Sequence, residues 1–296
     1  MADGVEAIIQ RLYGLPTFFV AGLPRSGTTW LQQMLNAHPE LLCLGESHFV
    51  NDMVPGLYNV LWKFTKSRSN PERTWAPGVV GPQTEHMLPV LRMAFASLAA
   101  ANLGDTDLSR LRAIGEKNPD NLYHAERVWR VFPEARIIHI IRDPRDGAVS
   151  GFARFRARLP EDLTRPQYVE AYAKDWASRL QTVRGVAQGR PYREIRYEDL
   201  HADTLGRAAD LFRFIGVSDA PADVAAATDA ASFERLSGGR RQGEVDAASH
   251  YRRGEVEGWR DELTDEEVRL AELKAGRMMA SLGYAVSEEG LARAEA

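Results

Sequence analysis

The stretch Val20-Ala21-Gly22-Leu23-Pro24-Arg25-Ser26-Gly27-Thr28-Thr29-Trp30-Leu31 constrains this chain more than any other. Counted from Gly22 it reads G-x-x-x-x-G-T-T, where a nucleoside triphosphate loop reads G-x-x-x-x-G-K-[ST]. Apolar Phe18-Phe19-Val20-Ala21 before it predicts a buried strand, and Thr28 to Leu35 after it predicts a helix start. A loop in that context presents backbone N–H groups and a helix N-terminus to a phosphate, whatever side chain follows Gly27. Thr28 in the lysine position removes a charge aimed at a β,γ-phosphate pair. A glycine-rich turn without a ligand shares the minimal pattern, but not the fuller string from Pro24 to Trp30.

A second anion site is predicted farther along. Arg136-Ile137-Ile138-His139-Ile140-Ile141 is an apolar run of the kind that forms a buried parallel strand. Arg142 follows at its C-terminal end, where ligands bind in open α/β sheets. Pro144 can start the next helix, placing Ser150 in its first two turns. An arginine at the strand end and a hydroxyl on that helix can share one phosphate. An ion pair of Arg142 with Asp143 or Asp146 is the alternative use.

Taken together, these segments resemble sulfotransferases that use 3'-phosphoadenosine 5'-phosphosulfate (PAPS). Pro24-Arg25-Ser26-Gly27-Thr28-Thr29-Trp30-Leu31 is similar to their 5'-phosphosulfate loop. Arg142 and Ser150, eight residues apart, are similar to their 3'-phosphate segment. Tyr197-Glu198-Asp199-Leu200 matches a motif whose tyrosine lies near the nucleotide. Arg252-Arg253-Gly254 resembles their late Arg-Lys-Gly loop, with Arg253 in place of lysine. The resemblance runs from about residue 17 to 265. It implies a P-loop-like α/β fold and nucleotide contacts from Arg25, Ser26, Gly27, Thr28, Thr29, Trp30, Arg142, Ser150, Tyr197, Arg252, Arg253 and Gly254. PAPS is the expected donor, 3',5'-adenosine bisphosphate (PAP) the product, and no metal is expected.

Sulfuryl transfer needs a cation near the leaving phosphate and a base on the acceptor. Arg25 is the first choice of cation. Lys117, in Gly115-Glu116-Lys117-Asn118-Pro119, is the second, because it resembles the Lys-x-Pro segment of protein-tyrosine and many bacterial sulfotransferases. The alternative for Lys117 is a surface lysine paired with Glu116. Glu46, in Leu44-Gly45-Glu46-Ser47-His48, resembles the Gly-Glu whose glutamate is the base in those enzymes, and His48 is the runner-up. Burial would raise the Glu46 pKa and a helix N-terminus would lower it.

The order of elements predicts a single α/β domain over residues 1–296, a central parallel sheet flanked by helices. Val5 to Leu12 is expected as a helix on the sheet edge. Helices are expected over Thr28–Ala37, Glu46–Thr65, Gln83–Leu103, Asp120–Phe132, 145–158, 166–188, 203–215, 221–230 and 265–282, and strands at Ile114–Lys117 and Tyr192–Arg196. Residues 1–16 form an N-terminal helical segment, 46–110 a helical acceptor-site insertion, and 287–296 a frayed tail. Phe49, Tyr58, Trp62, Phe64, Trp75 and Phe95 of the insertion could line an acceptor pocket, or be core.

A net charge of −4 with 44% hydrophobic residues gives no global pull toward nucleic acid. No run of about 18 apolar residues suggests a membrane span. The lone cysteine, Cys43, reads as a buried small hydrophobe and fits a reducing compartment, so a cytoplasmic protein is expected. The expected acceptor is a small molecule with a hydroxyl, and a homodimer is left open. Two alternatives stand beside this reading: a P-loop kinase with an unusual loop, and an inactive nucleotide-binding homologue.

Overall fold

Buried apolar runs of this kind need cover on both faces, and the chain supplies it with helices. In the computed structural model, which describes residues 4–68, 80–241, 244 and 254–292, five parallel strands lie in the order β2-β3-β1-β4-β5. They are β1 (Thr17–Ala21), β2 (Leu41–Leu44), β3 (Ala113–Lys117), β4 (Arg136–Ile141) and β5 (Tyr192–Arg196). The helices of the first half are α1 (Val5–Tyr13), α2 (Thr28–Asn36), α3 (Val54–Arg68), α4 (Thr84–Ala101), α5 (Ala125–Val131) and α6 (Pro144–Phe155). Those of the second half are α7 (Arg165–Val186), α8 (Tyr197–Ala202), α9 (Thr204–Ile215), α10 (Pro221–Ala230), α11 (Phe233–Leu236), α12 (Trp259–Glu262), α13 (Asp265–Ser281) and α14 (Glu288–Ala292).

Strand alternation divides the core. Phe18 and Val20 of β1 pack with Leu31, Met34 and Leu35 of α2 and with Leu211 and Phe212 of α9. Phe19 and Ala21 face the other way, toward α4, α7 and α13. There Phe95 gathers Phe19, Phe49 and Phe132, with ring centroids at 5.6, 5.0 and 5.3 Å. Burying each ring is worth about 1.5–3 kcal/mol, so this cluster pins α4 and the start of the insertion onto the sheet. The chain steps from β1 over β3 to β2, returns to β3, then crosses to β4 on the other side of β1. That reversal opens a crevice beyond the strands' C-terminal ends.

Several expectations need correction. Leu41–Leu44 is a strand, fully buried at the sheet edge and paired in parallel with β3. The expected helix over Glu46–Thr65 starts later: Glu46 lies in a turn, one π-helical turn spans Phe49–Met53, and α3 follows. Asp120–Phe132 is two pieces, because the Asn118 side chain caps a 3-10 turn at Pro119–Leu122 before α5 begins. α1 packs on α4 rather than on the sheet edge. The tail is ordered through α14: Ser287 donates to Glu272 and Gly290 is buried against α13. Within the insertion, Phe49 and Phe95 are core, while Trp62 and Phe64 are exposed. Trp75 lies outside the described residues. Cys43 is buried, and burial pushes its thiol pKa up, as suits a packing residue.

Candidate active site

Each strand ends in a segment that reaches one cleft of about 1010 Å³. The loop after β1 brings Arg25 and Gly27, and the turn after β2 brings Glu46 and His48. Asn118 follows β3, Arg142 follows β4, and Tyr197 follows β5. Five parallel strands thus direct chemistry to one end of the sheet.

The first loop is built for close approach. Gly27 sits at φ 102°, and a Cβ there would lie 2.7 Å from the Tyr197 ring. Arg25 holds φ 75°, a conformation that costs a non-glycine residue about 1–3 kcal/mol and is tolerated where the surroundings enforce it. Tyr172 of α7 donates to the Pro24 carbonyl at 2.8 Å and fixes the loop from below. Ser26 Oγ is buried without a partner among the described residues. Thr28 is buried, and the Trp30 indole donates to the Ala231 carbonyl at 2.9 Å. Trp30 and Tyr197 meet edge to face at 5.3 Å.

Arg142 and Ser150 adjoin this loop. The Arg142 guanidinium stacks 4.4 Å from the Tyr197 ring and donates to the carbonyls of Glu255 at 2.8 Å and Arg25 at 3.4 Å. Its Nε is buried without a partner among the described residues. Asp146, 3.8 Å from Arg142, mainly accepts backbone N–H bonds from Glu257 at 3.0 Å and Trp259 at 2.9 Å. Burial pushes the Asp146 carboxyl up, and Arg142 opposes that. Asp143 is committed to Arg145, so the alternative ion pair for Arg142 is limited to the long Asp146 contact. Arg25, the first choice of cation for the leaving phosphate, donates from Nε to Ser150 Oγ at 3.0 Å, bridging the two expected anion sites.

Lys117 and Glu46 come together. Lys117 Nζ is 2.6 Å from Glu46 Oε1 and 3.3 Å from Thr29 Oγ1. The lysine side chain is 5% exposed and the glutamate 46%, so Lys117 is no surface residue, and its partner is not Glu116. Glu116 is fully buried, and accepts from Ser47 Oγ at 2.6 Å and from the Phe49 N–H at 3.3 Å. Burial pushes its carboxyl pKa up, against those hydrogen bonds. Glu116 therefore fastens the turn that carries Glu46 and His48. His48 holds φ 54°, with Nδ1 3.0 Å from Asn51 Nδ2.

Of the late loop, Arg252 and Arg253 lie outside the described residues. Gly254 is at φ 66°, packed so closely on the Phe233 ring that a Cβ would overlap it. Among the described residues the cleft takes nothing from α3 or α4. It does take His201, Arg154, Phe155 and Arg158, which sequence reasoning missed. The alternating arginines of Arg154-Phe155-Arg156-Ala157-Arg158, just past Ser150, were the available signal.

The family model for the sulfotransferase family matches residues 16–221. Protein-tyrosine sulfotransferase 2 of Gallus gallus is 29% identical over 140 residues, 47% of this chain and 34% of that protein. Protein-tyrosine sulfotransferase A of Caenorhabditis elegans is 31% identical over 131 residues, 44% of this chain and 31% of that protein. The match thus spans about a third of those relatives' length. Among solved structures, mouse sulfotransferase SULT7A1 complexed with PAP superposes with a TM-score of 0.57, covering 98% of this chain and 92% of that one. At 16% identity that likeness is one of fold.

Proposed function

The chain belongs to the sulfotransferase family, and from that premise we propose that it transfers a sulfuryl group from PAPS to a hydroxyl of an acceptor. One observation carries the reading: two adjoining anion sites, the Gly22–Thr29 loop and the Arg142–Ser150 pair, share a cleft with a Lys117–Glu46 pair. The site suits such a nucleotide on physical grounds. The unpartnered Ser26 Oγ and Arg142 Nε await acceptors or donors, and Gly27 leaves the loop backbone open where a side chain would clash.

When bound, PAPS supplies an activated sulfuryl group on a 5'-phosphosulfate. In this reading the backbone from Ser26 to Thr29, with α2 behind it, binds that end. Arg142 and Ser150, with Arg252, Arg253 and Gly254, bind the 3'-phosphate, and Trp30 and Tyr197 flank the nucleotide. Arg25, poised between the two sites, serves either phosphate. Lys117 orients the Glu46 carboxylate and brings positive charge to the reacting group, and Glu46 takes the acceptor's hydroxyl proton. His48 stands next to Glu46 as the second candidate base.

The expected acceptor is a small molecule. The curated relatives named above are protein-tyrosine sulfotransferases, which makes a tyrosine hydroxyl in a polypeptide the second reading. No helix among the described residues is long and apolar enough to cross a membrane. A cytoplasmic location belongs to the same proposal and rests on the single buried cysteine.

Calorimetry tests the reading directly. Saturable binding of PAP, with weaker binding of ATP with magnesium, is the expected result, together with transfer from labelled PAPS to a hydroxyl acceptor. Tight ATP–magnesium binding without PAP binding would move the chain to the kinase alternative. PAP binding without transfer to any acceptor would make it an inactive homologue.

A further inference from the structure

Two arginines at the cleft have no partner among the described residues. Beyond Ser150, the last turn of α6 and the 3-10 turn Arg156–Arg158 present Arg154, Phe155 and Arg158 to the cleft. Arg156, between them, is committed elsewhere. It donates to the carbonyls of Pro160 at 3.2 Å and Glu161 at 3.3 Å, and lies over the Phe152 ring at 5.6 Å. Among the described residues, Arg154 and Arg158 make no hydrogen bond, ion pair or ring contact. The helix C-terminus favours a cation at Arg154, but Arg158 lies past the helix.

The carboxylates that line the cleft do not neutralise this pair. Glu46 is paired with Lys117 at 2.6 Å, and Asp229 with Arg235 at 2.7 Å. Asp120 accepts a long contact, 3.5 Å, from Asn51. The anionic ends of the nucleotide already have candidate partners in the first loop and in Arg142 and Ser150. Phe155, between the two arginines, offers a ring face to an apolar body.

We propose that Arg154 and Arg158 bind an anionic group carried by the acceptor itself, so that the acceptor is a hydroxylated acid rather than a neutral alcohol. Guanidinium forks bind carboxylate, sulfate or phosphate through paired N–H bonds. Because both arginines are exposed, the contribution weakens as salt is raised. This proposal rests on the sulfuryl-transfer reading and names the class of its acceptor.

The test uses two matched pairs on the full chain saturated with PAP. One is 4-hydroxyphenylacetate against its methyl ester; the other is a tyrosine peptide with flanking aspartates against the same peptide with asparagines. Binding is measured by calorimetry, and kcat/KM with labelled PAPS. At least one charged member is expected to bind roughly tenfold or more tightly than its neutral counterpart, with the preference shrinking at high salt. Which pair shows it separates a small acid from an acidic peptide. In R154Q/R158Q the charged member should lose that advantage, while PAP affinity and the neutral member stay unchanged. Equal binding of both members in both pairs overturns the proposal, as does a double variant that weakens PAP itself, which would assign the arginines to the nucleotide. Failure of PAP to bind the unaltered protein is a separate outcome and removes the sulfuryl-transfer reading beneath it.

Discussion

Glu116 and Lys117 are neighbours in β3 that face opposite sides of the sheet, and each does what its side demands. Glu116 turns inward and holds the Ser47 hydroxyl and the Phe49 N–H. Lys117 reaches the cleft and meets Glu46, 71 positions away in the chain. Glu46→Gln keeps the shape and the contact to Lys117 but cannot take a proton. It should lower kcat by about 10²–10⁴-fold, the usual worth of a general base, with PAP affinity by calorimetry unchanged. Undiminished turnover would shift the base to His48. The local parts of this site were legible, because the loop from Gly22 to Thr29 and the Arg142–Ser150 spacing are contiguous motifs. The pairing of Lys117 with Glu46 rather than Glu116, and the reach of Arg25 to Ser150, are tertiary facts that neighbouring residues do not encode.

Among the elements, α6 connects the proposed nucleotide site and the C-terminal segment. Its first-turn Asp146 accepts from two backbone N–H groups of the late loop, Glu257 and Trp259, and Glu257 itself sits at φ 61°. Arg142 reaches the same loop through the Glu255 carbonyl. Asp146→Ala leaves the N–H of buried Trp259 and that of exposed Glu257 without their acceptor, and the buried one costs about 1–3 kcal/mol if unsatisfied. The loop should then open rather than bear that cost. PAP affinity should fall about tenfold or more, while Glu46 and Lys117 keep kcat near its original value at saturating donor. Cleavage of the 254–259 segment by a nonspecific protease should rise, and PAP should no longer protect it. A fall in kcat alone, with affinity intact, would refute this account of Asp146. At this scale the sequence shows β1 and β4 as apolar runs bounded by turn residues, and β3 and β5 as short mixed stretches set between turns and helices. β2 escapes it because Leu41–Leu44 follows the His38-Pro39 stop of α2 by one residue and reads as part of the connection to the next helix. The split of residues 119–131 escapes it too, because the break at Tyr123-His124, between the 3-10 turn and α5, falls within a continuous apolar spacing.

The molecule as a whole is held by a sheet buried on both faces, and a few polar groups are buried with it. Arg145 is one: it pairs with Asp143 at 2.7 Å and Glu272 at 2.9 Å beneath the Trp259 ring, tying α6, α12 and α13 together. His139 is another, in strand β4 between β1 and β5, with Nδ1 2.7 Å from the Tyr192 hydroxyl. Burial pushes the His139 pKa down to about 4, Glu194 opposes that, and Arg184 adds to it. In the unfolded chain the imidazole binds a proton near its ordinary 6.5. Between those two values the unfolded state carries a proton that the folded state refuses. The contribution of His139 is therefore fully present above pH 6.5 and is lost as the pH falls toward 4. The separation of the two values amounts to about 3 kcal/mol. His139→Leu fits the apolar strand, and the Tyr192 hydroxyl keeps its bond to Glu194 at 3.0 Å. Denaturant unfolding at pH 7, 5.5 and 4.5 should show the unaltered protein losing stability faster than this variant as the medium is acidified, because carboxylates titrate alike in both. Parallel losses in the two proteins would mean that His139 is protonated in the folded state, and that the sheet interior at β4 is wetter than its packing implies.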